Sequence, residues 1–484
     1  MNIQEYFAPK TTDVEYTQLD QVKISLIMRI DSYKFSHPFA YPQGIKAMTS
    51  YGEARIPTTE IIVPFGMQLL IKRYLSETIT AEDVEAAERF ALAHFGRPLF
   101  HKEGWMKVVN VYNGKLPLII RAVREGTVMK GSQPIYTVTV FDEDLFWMSA
   151  GFETMIQRGI WYPTTIATDD YVTKQEIIKR YEATGANKGL IPFSLHDFGG
   201  RGVSSGETAE IGGAAHLVNF MGSDTVEGIL TANFYYKCDM AGFSVYATEH
   251  SIQCSFGPTR DNAIDYLRTQ IRNATPGSIV SIVIDGYDVF RETELLCTEL
   301  KQDIIASEAK IVFRPDSGDM MEIVPAILKM QEEAFGYNLT ETGHKQIKHV
   351  GLIQGDGISH TTLLQLLDRV IELGYSADCV IFGSGGALLQ KVNRDTKKFA
   401  QKACSILVDG VWKGIAKDPV TDHGKKSKEG ILTLGRNLTT GELETLRIDG
   451  GFPEGYEDAH VLVYHLGKLF NEVTLEEVRS NTEQ

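Results

Sequence analysis

The sequence predicts an α/β protein: an irregular or incomplete (β/α) barrel of about seven parallel βα units, packed with a second, mixed α/β domain. Three observations predict it. After residue 190 short apolar runs recur, in order FSLHDFGG (193–200), LVNFMGSD (217–224), FSVYATEH (243–250), SIVSIVIDGYD (278–288), KIVFRPDSGD (310–319), HVGLIQGDG (349–357) and CVIFGSGG (379–386). Each stops abruptly at Gly, Asp or His, at intervals of about 26 to 40 residues, as βα units require. Helical patterns with apolar residues at three- and four-residue spacing fill several intervals, among them YDVFRETELLCTELKQDIIASE, MMEIVPAILKMQEEAFG and HTTLLQLLDRVIELG. Short, strongly apolar strands alternating with helices read as parallel strands wrapped by helices. An open doubly wound sheet fits the same text. The barrel better explains why every run ends in chemistry, because active sites of barrels sit at the C-terminal ends of the strands.

The remaining elements follow in order. Residues 1–24 read as a loosely ordered N-terminal arm. Residues 25–165 mix strand text (PLIIRAV, IYTVTVF) with helical text (ITAEDVEAAERFALAHF), and residues 400–475 return to similar text (ACSILVDG, GILTLG, HVLVYHLG). These two stretches are assigned together to the mixed α/β domain, and residues 166–399 to the catalytic barrel.

Composition narrows the function classes. The 484 residues are 43% hydrophobic and 23% charged, which excludes disorder, collagen and a disulfide-stapled miniprotein. The net charge of −15 argues against general attraction to nucleic acid or an anionic membrane. An anionic ligand must therefore be held locally. The five cysteines are widely spaced with no C-x-x-C pair, and no signal peptide or membrane span is legible, so the expected setting is cytoplasmic.

The groups at the run ends are Asp197, Phe198, Arg201, Asp224, His250, Asp285, Arg314, Asp316, Asp356 and the GSGG turn at 383–386. Each alone has a plain reading: a strand-end Asp is commonly a helix N-cap. Seven successive ends carrying such groups are harder to dismiss. Glycines around Gly385 bare the backbone amides for phosphate, at the last strand, where barrels commonly bind it. Arg201 and Arg314 match the oxygen fork of a phosphate. Asp285 and Asp316 are candidate Mg²⁺ ligands, since Mg²⁺ takes a few carboxylates and completes its shell with substrate oxygens and water. The residues thus predict a barrel enzyme acting on a diphosphorylated substrate with Mg²⁺. The string Gly202-Val203-Ser204-Ser205-Gly206 fits G-x-S-x-G, but FGGRG separates Ser204 from the apolar run, where a nucleophile elbow must turn directly. Neither a Walker loop nor a G-x-G-x-x-G fingerprint occurs. GKKSK (424–428) reads as a solvated loop or as a lid over phosphates.

These residues carry a resemblance. LHDFGGRGVSS, HLVNFMGSDTV, EHS at 249–251, FRPDSGD, IQGDG, FGSGGALLQKVNRD, DSYK (31–34) and KDPVTD with KKSKEG (417–430) are similar to the nicotinamide phosphoribosyltransferases, within the type II phosphoribosyltransferases. The resemblance spans roughly residues 25 to 475. It implies transfer of phosphoribose from 5-phosphoribosyl-1-diphosphate to nicotinamide, Mg²⁺ dependence, coupling to ATP hydrolysis, and a homodimer with shared sites.

Residue by residue, the resemblance implies that Phe198 and the partner subunit's Tyr33 sandwich the pyridine ring. It implies that Asp224 accepts the amide N–H with Ser281 nearby, and that Arg201 and Arg314 hold diphosphate. Asp316 serves the ribose or Mg²⁺, and Gly355 and Asp356 the ribose hydroxyls. Gly385, Gly386 and Arg394, with Lys402 and Lys425 nearby, hold the 5′-phosphate. His250 matches the family's phosphorylated histidine. Two positions depart: Gly200 stands where the family often has an aromatic residue, and Gly286 where it has serine. Glu249 is a candidate to orient the imidazole of its neighbour His250.

Overall fold

A computed structural model describes residues 24–421 and 426–484. The expected arm, but for Ile24, lies outside the described residues, as does Lys425.

All seven apolar runs contain strands: Leu195–Asp197, Gly222–Ser223, Tyr246–Ala247, Ile279–Val283, Lys310–Arg314, Val350–Gln354 and Val380–Ser384. Every pairing between them is parallel. Their spatial order follows the chain order: the first strand lies between the second and the seventh, and the third to seventh are successive neighbours. The second and third meet only at a parallel bridge, Gly222 to Phe243. The sheet therefore curls into an irregular barrel. A doubly wound sheet is excluded, because its strand order would reverse at a switch point.

Helices follow the strands, and short polar side chains start them. Ser205, Thr259, Asp288, Asp319 and Ser359 each accept a hydrogen bond from a backbone N–H in the first turn of their helix. Asp288 and Asp319 thus take the N-cap role three residues beyond Asp285 and Asp316. The plain reading of those two strand-end aspartates as caps fails, and both are released for other work. The YDVF…IASE pattern is broken at Thr298 into Val289–Cys297 and Lys301–Ala306.

The second sheet is antiparallel, in the order Val411–Gly414, Phe399–Val408, Ile45–Ala54, Pro134–Val140, Ile119–Val123, His460–His465 and Lys468–Leu469. Strands from both ends of the chain share it. A 32-residue helix, Glu153–Thr184, joins the two halves. Its Met155, Ile156 and Ile160 pack in the core of the antiparallel sheet, Tyr162, Ile166 and Ala167 in the seam, and Ile177 and Tyr181 in the barrel core. Among the described residues no helix is long and apolar enough to cross a membrane. All five cysteines are free.

Candidate active site

Side chains alternate along a strand, so each barrel strand sends every second residue inward. His196 and Phe198, Ile279 and Ser281, Val312 and Arg314, with Asp224, Ser244 and Val245, line a cavity of about 180 Å³ inside the barrel. Four residues named from the sequence meet here: Phe198, Asp224, Ser281 and Arg314. His196, Ser244 and Val245 were missed. The pleat could have found His196, two residues before Phe198, which directly follows the same strand. By the same alternation Asp197 turns outward into the helix layer, fully buried, where its Oδ1 accepts the Gly199 N–H at 2.7 Å.

Phe198 lies over backbone. A Cβ at Gly383 would overlap its ring, and one at Gly355 would stand 2.9 Å from Asp316 Oδ1 and 3.6 Å from the ring. Position 383 needs glycine for space, whereas a side chain at 355 would require Asp316 to shift. The polar inventory of the cavity is unbalanced. Ser244 donates its hydroxyl to Asp224. Arg314 donates to the Thr248 carbonyl. The Ser281 hydroxyl and Arg314 Nε are buried without a described partner. Orphaned buried donors are costly, about 1–3 kcal/mol each. A flat ring bearing one acceptor oxygen and one N–H donor would satisfy both orphans and Asp224 together.

At the mouth, His250 Nε2 lies 3.0 Å from Asp285 Oδ1. The Asp285 side chain is 2% exposed, and its Oδ2 accepts the Asp316 N–H at 3.0 Å and the Ser317 hydroxyl. Asp285 is thus an acceptor throughout, so Nε2 carries the proton and the lone pair of a neutral His250 sits on Nδ1. Glu249 bonds Ser251 rather than the imidazole. The Asp316 carboxylate has no hydrogen-bond partner among the described residues. Burial pushes its pKa up against the opposing pull of Arg314, with Asp285 and Asp356 adding to the rise.

Arg201 lies in the turn Gly200–Gly202, and Gly202 packs against Gly386 across the loops that follow the first and seventh strands. Gly385 and Gly386 open the short helix Gly386–Leu389. Arg394 follows on that loop, paired with Asp395. Tyr33 and Lys402 belong to the other domain. Tyr33 is 56% exposed on the turn Ser32–Phe39, edge-on to His37. Lys402 Nζ lies 3.3 Å from Glu153, a carboxylate that also binds Lys34 and acts on the Tyr33 hydroxyl. Ser204 stands in a loop, its N–H on Gln390 Oε1 and its hydroxyl 3.5 Å from Thr208, with no histidine beside it.

Burial holds His196 and His460 down to about 4. The unfolded chain binds protons on both below about pH 6.5, whereas the folded imidazoles stay neutral until about pH 4. Unfolding therefore takes up protons in this window, and stability present above it falls by up to about 1.4 kcal/mol per pH unit per histidine as the medium is acidified. Urea midpoints measured from pH 7 to 5 should show this loss, and His460→Gln should flatten it. An unchanged slope in that variant would contradict the assignment.

Comparison with known proteins places the chain. Residues 193–464 match the nicotinate phosphoribosyltransferase (NAPRTase) family, and residues 25–120 match the N-terminal domain of nicotinamide phosphoribosyltransferase. The chain is 42% identical to a nicotinamide phosphoribosyltransferase of Xanthomonas campestris, covering 95% of this chain and 98% of the relative. It is 31% identical to one of Acinetobacter baylyi, over 96% and 98%. Among solved structures, the fold is shared with the nicotinate-nucleotide pyrophosphorylase of Pyrococcus furiosus (TM-score 0.61, 15% identity, 97% of each chain). It is shared also with human nicotinic acid phosphoribosyltransferase (TM-score 0.56, 13% identity, 94% and 92%). With the seven motif-bearing strand ends gathered at one barrel mouth, this chain belongs to the nicotinate phosphoribosyltransferase family.

Proposed function

We propose that this protein transfers the phosphoribosyl group of 5-phosphoribosyl-1-diphosphate to nicotinamide, giving nicotinamide mononucleotide and diphosphate, in NAD salvage. The cavity carries this reading. Phe198 offers a ring face, Asp224 an acceptor for the amide NH₂, and Ser281 and Arg314 unpaired donors for the amide oxygen. Nicotinate would place a second carboxylate against Asp224, a repulsion that disfavours it at close range.

The pyridine nitrogen is a neutral nucleophile, so no general base is needed. Its lone pair forms the bond to ribose C1 as the C1–oxygen bond breaks and diphosphate leaves with the electron pair. Arg314 and Arg201 stabilise the charge that grows on the leaving group. Gly385, Gly386 and Arg394 hold the 5′-phosphate, with Lys402 and Lys425 nearby, and Gly355 and Asp356 the ribose hydroxyls. No cluster of three His, Cys, Asp or Glu side chains is poised for a metal among the described residues. The site suits an ion that takes most of its shell from substrate oxygens, and Asp316, with a partnerless carboxylate, would hold Mg²⁺ with Asp285 behind it. When bound, Mg²⁺ supplies neutralisation of the diphosphate charge.

ATP acts as co-substrate through His250. Asp285 fixes the Nε2–H tautomer and leaves Nδ1 as phosphoryl acceptor. The working unit is a homodimer in the cytoplasm. Tyr33, which like Lys402 stands beside Glu153 on the antiparallel-sheet domain, is not among the residues lining the cavity, and reaches a barrel mouth from a second copy. The helix Val226–Tyr235, which starts beside Asp224, supports this by exposing Val226, Leu230 and Phe234 in an apolar stripe.

Incubating the protein with nicotinamide, phosphoribosyl diphosphate and Mg²⁺ should yield the mononucleotide by mass spectrometry; its absence sinks the reading. Gly383→Ala, which pushes a methyl group into Phe198, should raise KM for nicotinamide about tenfold while changing kcat less, an effect of about 1.4 kcal/mol. An unchanged KM would remove Phe198 from the ring site.

A further inference from the structure

Three side-chain rungs join the short helix His250–Phe256 to the loop Asp285–Asp288. The first is the His250–Asp285 bond at 3.0 Å. The second is Gln253, whose Oε1 accepts the Gly286 N–H at 2.8 Å. The third is the Tyr287 hydroxyl, donated to the Cys254 carbonyl at 3.3 Å. Gln253 follows His250 by one helical turn and Gly286 directly follows Asp285, so the second rung lies beside the first.

The second rung is backed by a further buried carboxylate. Gln253 is buried, and its Nε2 faces Glu292 Oε1 at 3.5 Å. Glu292 is fully buried and held by Arg291 Nη2 at 2.9 Å, while Arg291 Nη1 donates to the Pro258 carbonyl at 3.1 Å. The guanidinium thus ties the far end of the same segment to the network. The fit depends on glycine at 286, because a Cβ there would overlap the Gln253 amide.

We propose that Gln253, braced by Glu292 and Arg291, is a positioning residue that sets the Asp285–His250 pair and thereby the readiness of His250 Nδ1 to accept a phosphoryl group. The proposal rests on the ATP reading given above. In that step the Nδ1 lone pair forms the N–P bond as the bond from the γ-phosphorus to the β,γ-bridging oxygen breaks. ADP leaves with the electron pair, and the Nε2 proton stays on the Asp285 side. Without the rung, the Asp285 loop shifts against the helix, Nε2–H loses its fixed acceptor, and the tautomer that presents Nδ1 is no longer the sole one.

The test compares wild type with Gln253→Met, which keeps the bulk and removes the acceptor. Incorporation of acid-labile phosphate from γ-labelled ATP should slow about tenfold, while ATP-independent transfer stays within twofold. Independently, ¹⁵N spectra of histidine-labelled protein should change from a single Nε2–H tautomer of His250 to a mixture. Gly286→Ser alone should show the same two defects through overlap with Gln253. The double variant Gln253→Ala, Gly286→Ser, which relieves the overlap but still lacks the acceptor, should stay as slow as Gly286→Ser, and this arm holds even if Gln253→Met folds poorly; recovery towards the wild-type rate would show overlap alone at work and overturn the proposal. Wild-type phosphate uptake and an unchanged tautomer in Gln253→Met would overturn the proposal. If the wild type itself takes up no acid-labile phosphate, the ATP reading fails, and the tautomer spectra still decide whether Gln253 positions His250.

Discussion

Replacing Arg314 by Met should lower kcat for phosphoribosyl transfer by about a hundred- to a thousandfold, the cost of removing one preorganised donor from a developing charge. Arg314 ends its strand between two zones: its side chain lines the ring cavity, and Asp316, within its electrostatic reach, lies at the mouth. The Thr248 carbonyl anchors one of its nitrogens and leaves Nε without a partner. Thr248 is itself fixed, its hydroxyl accepting from the Val283 N–H at 2.9 Å and paired with Tyr266 at 2.8 Å. The guanidinium is thus held before substrate arrives, which is what makes electrostatic stabilisation effective. Arg314→Lys should recover only part of the rate, because an ammonium lacks the planar fork that serves anchor and ligand at once. Steady-state kinetics read this directly; a kcat loss below fivefold in Arg314→Met would remove the residue from leaving-group stabilisation.

Asp224→Asn should shift the preference between nicotinamide and nicotinate by about a hundredfold, since a hydrogen bond to a charged group contributes about 1.5–3 kcal/mol. Two effects add. The nicotinamide NH₂ loses a charged acceptor for a neutral one, and nicotinate loses a repelling carboxylate and gains an N–H donor. Ser244 occupies one Asp224 oxygen, leaving the other for substrate. The ratio of kcat/KM values for the two bases checks it. An unchanged ratio would place discrimination elsewhere in the cavity.

The barrel was legible because most of its strands lie in short apolar runs with a hard stop, the exposed pair Tyr246–Ala247 being the exception. The long helix Glu153–Thr184 was not: its buried face turns from one core to the next, and it carries Pro163 within it. The same physics divides the site. Residues on strand ends announced themselves as Asp, Arg or His beside glycine. The bond from Asp285 to His250 joins positions 35 apart in the chain, and no local pattern carries it. Sequence adjacency pointed instead to Glu249, which the helix start turns towards Ser251. Gly383 and Gly355 were legible as phosphate and ribose glycines, but not that Phe198 lies against the first and Asp316 against the second. The glycine at 286 likewise makes sense only against Gln253, a neighbour the sequence places more than thirty residues away.

The central claim is that this cavity selects an amide-bearing pyridine for phosphoribosyl transfer. Side-by-side kcat/KM values for nicotinamide and nicotinate, with phosphoribosyl diphosphate and Mg²⁺ and with or without ATP, test it most directly. The account predicts nicotinamide ahead by at least about a hundredfold in both conditions, with ATP raising the rate for nicotinamide. Equal values, or nicotinate ahead, would contradict it.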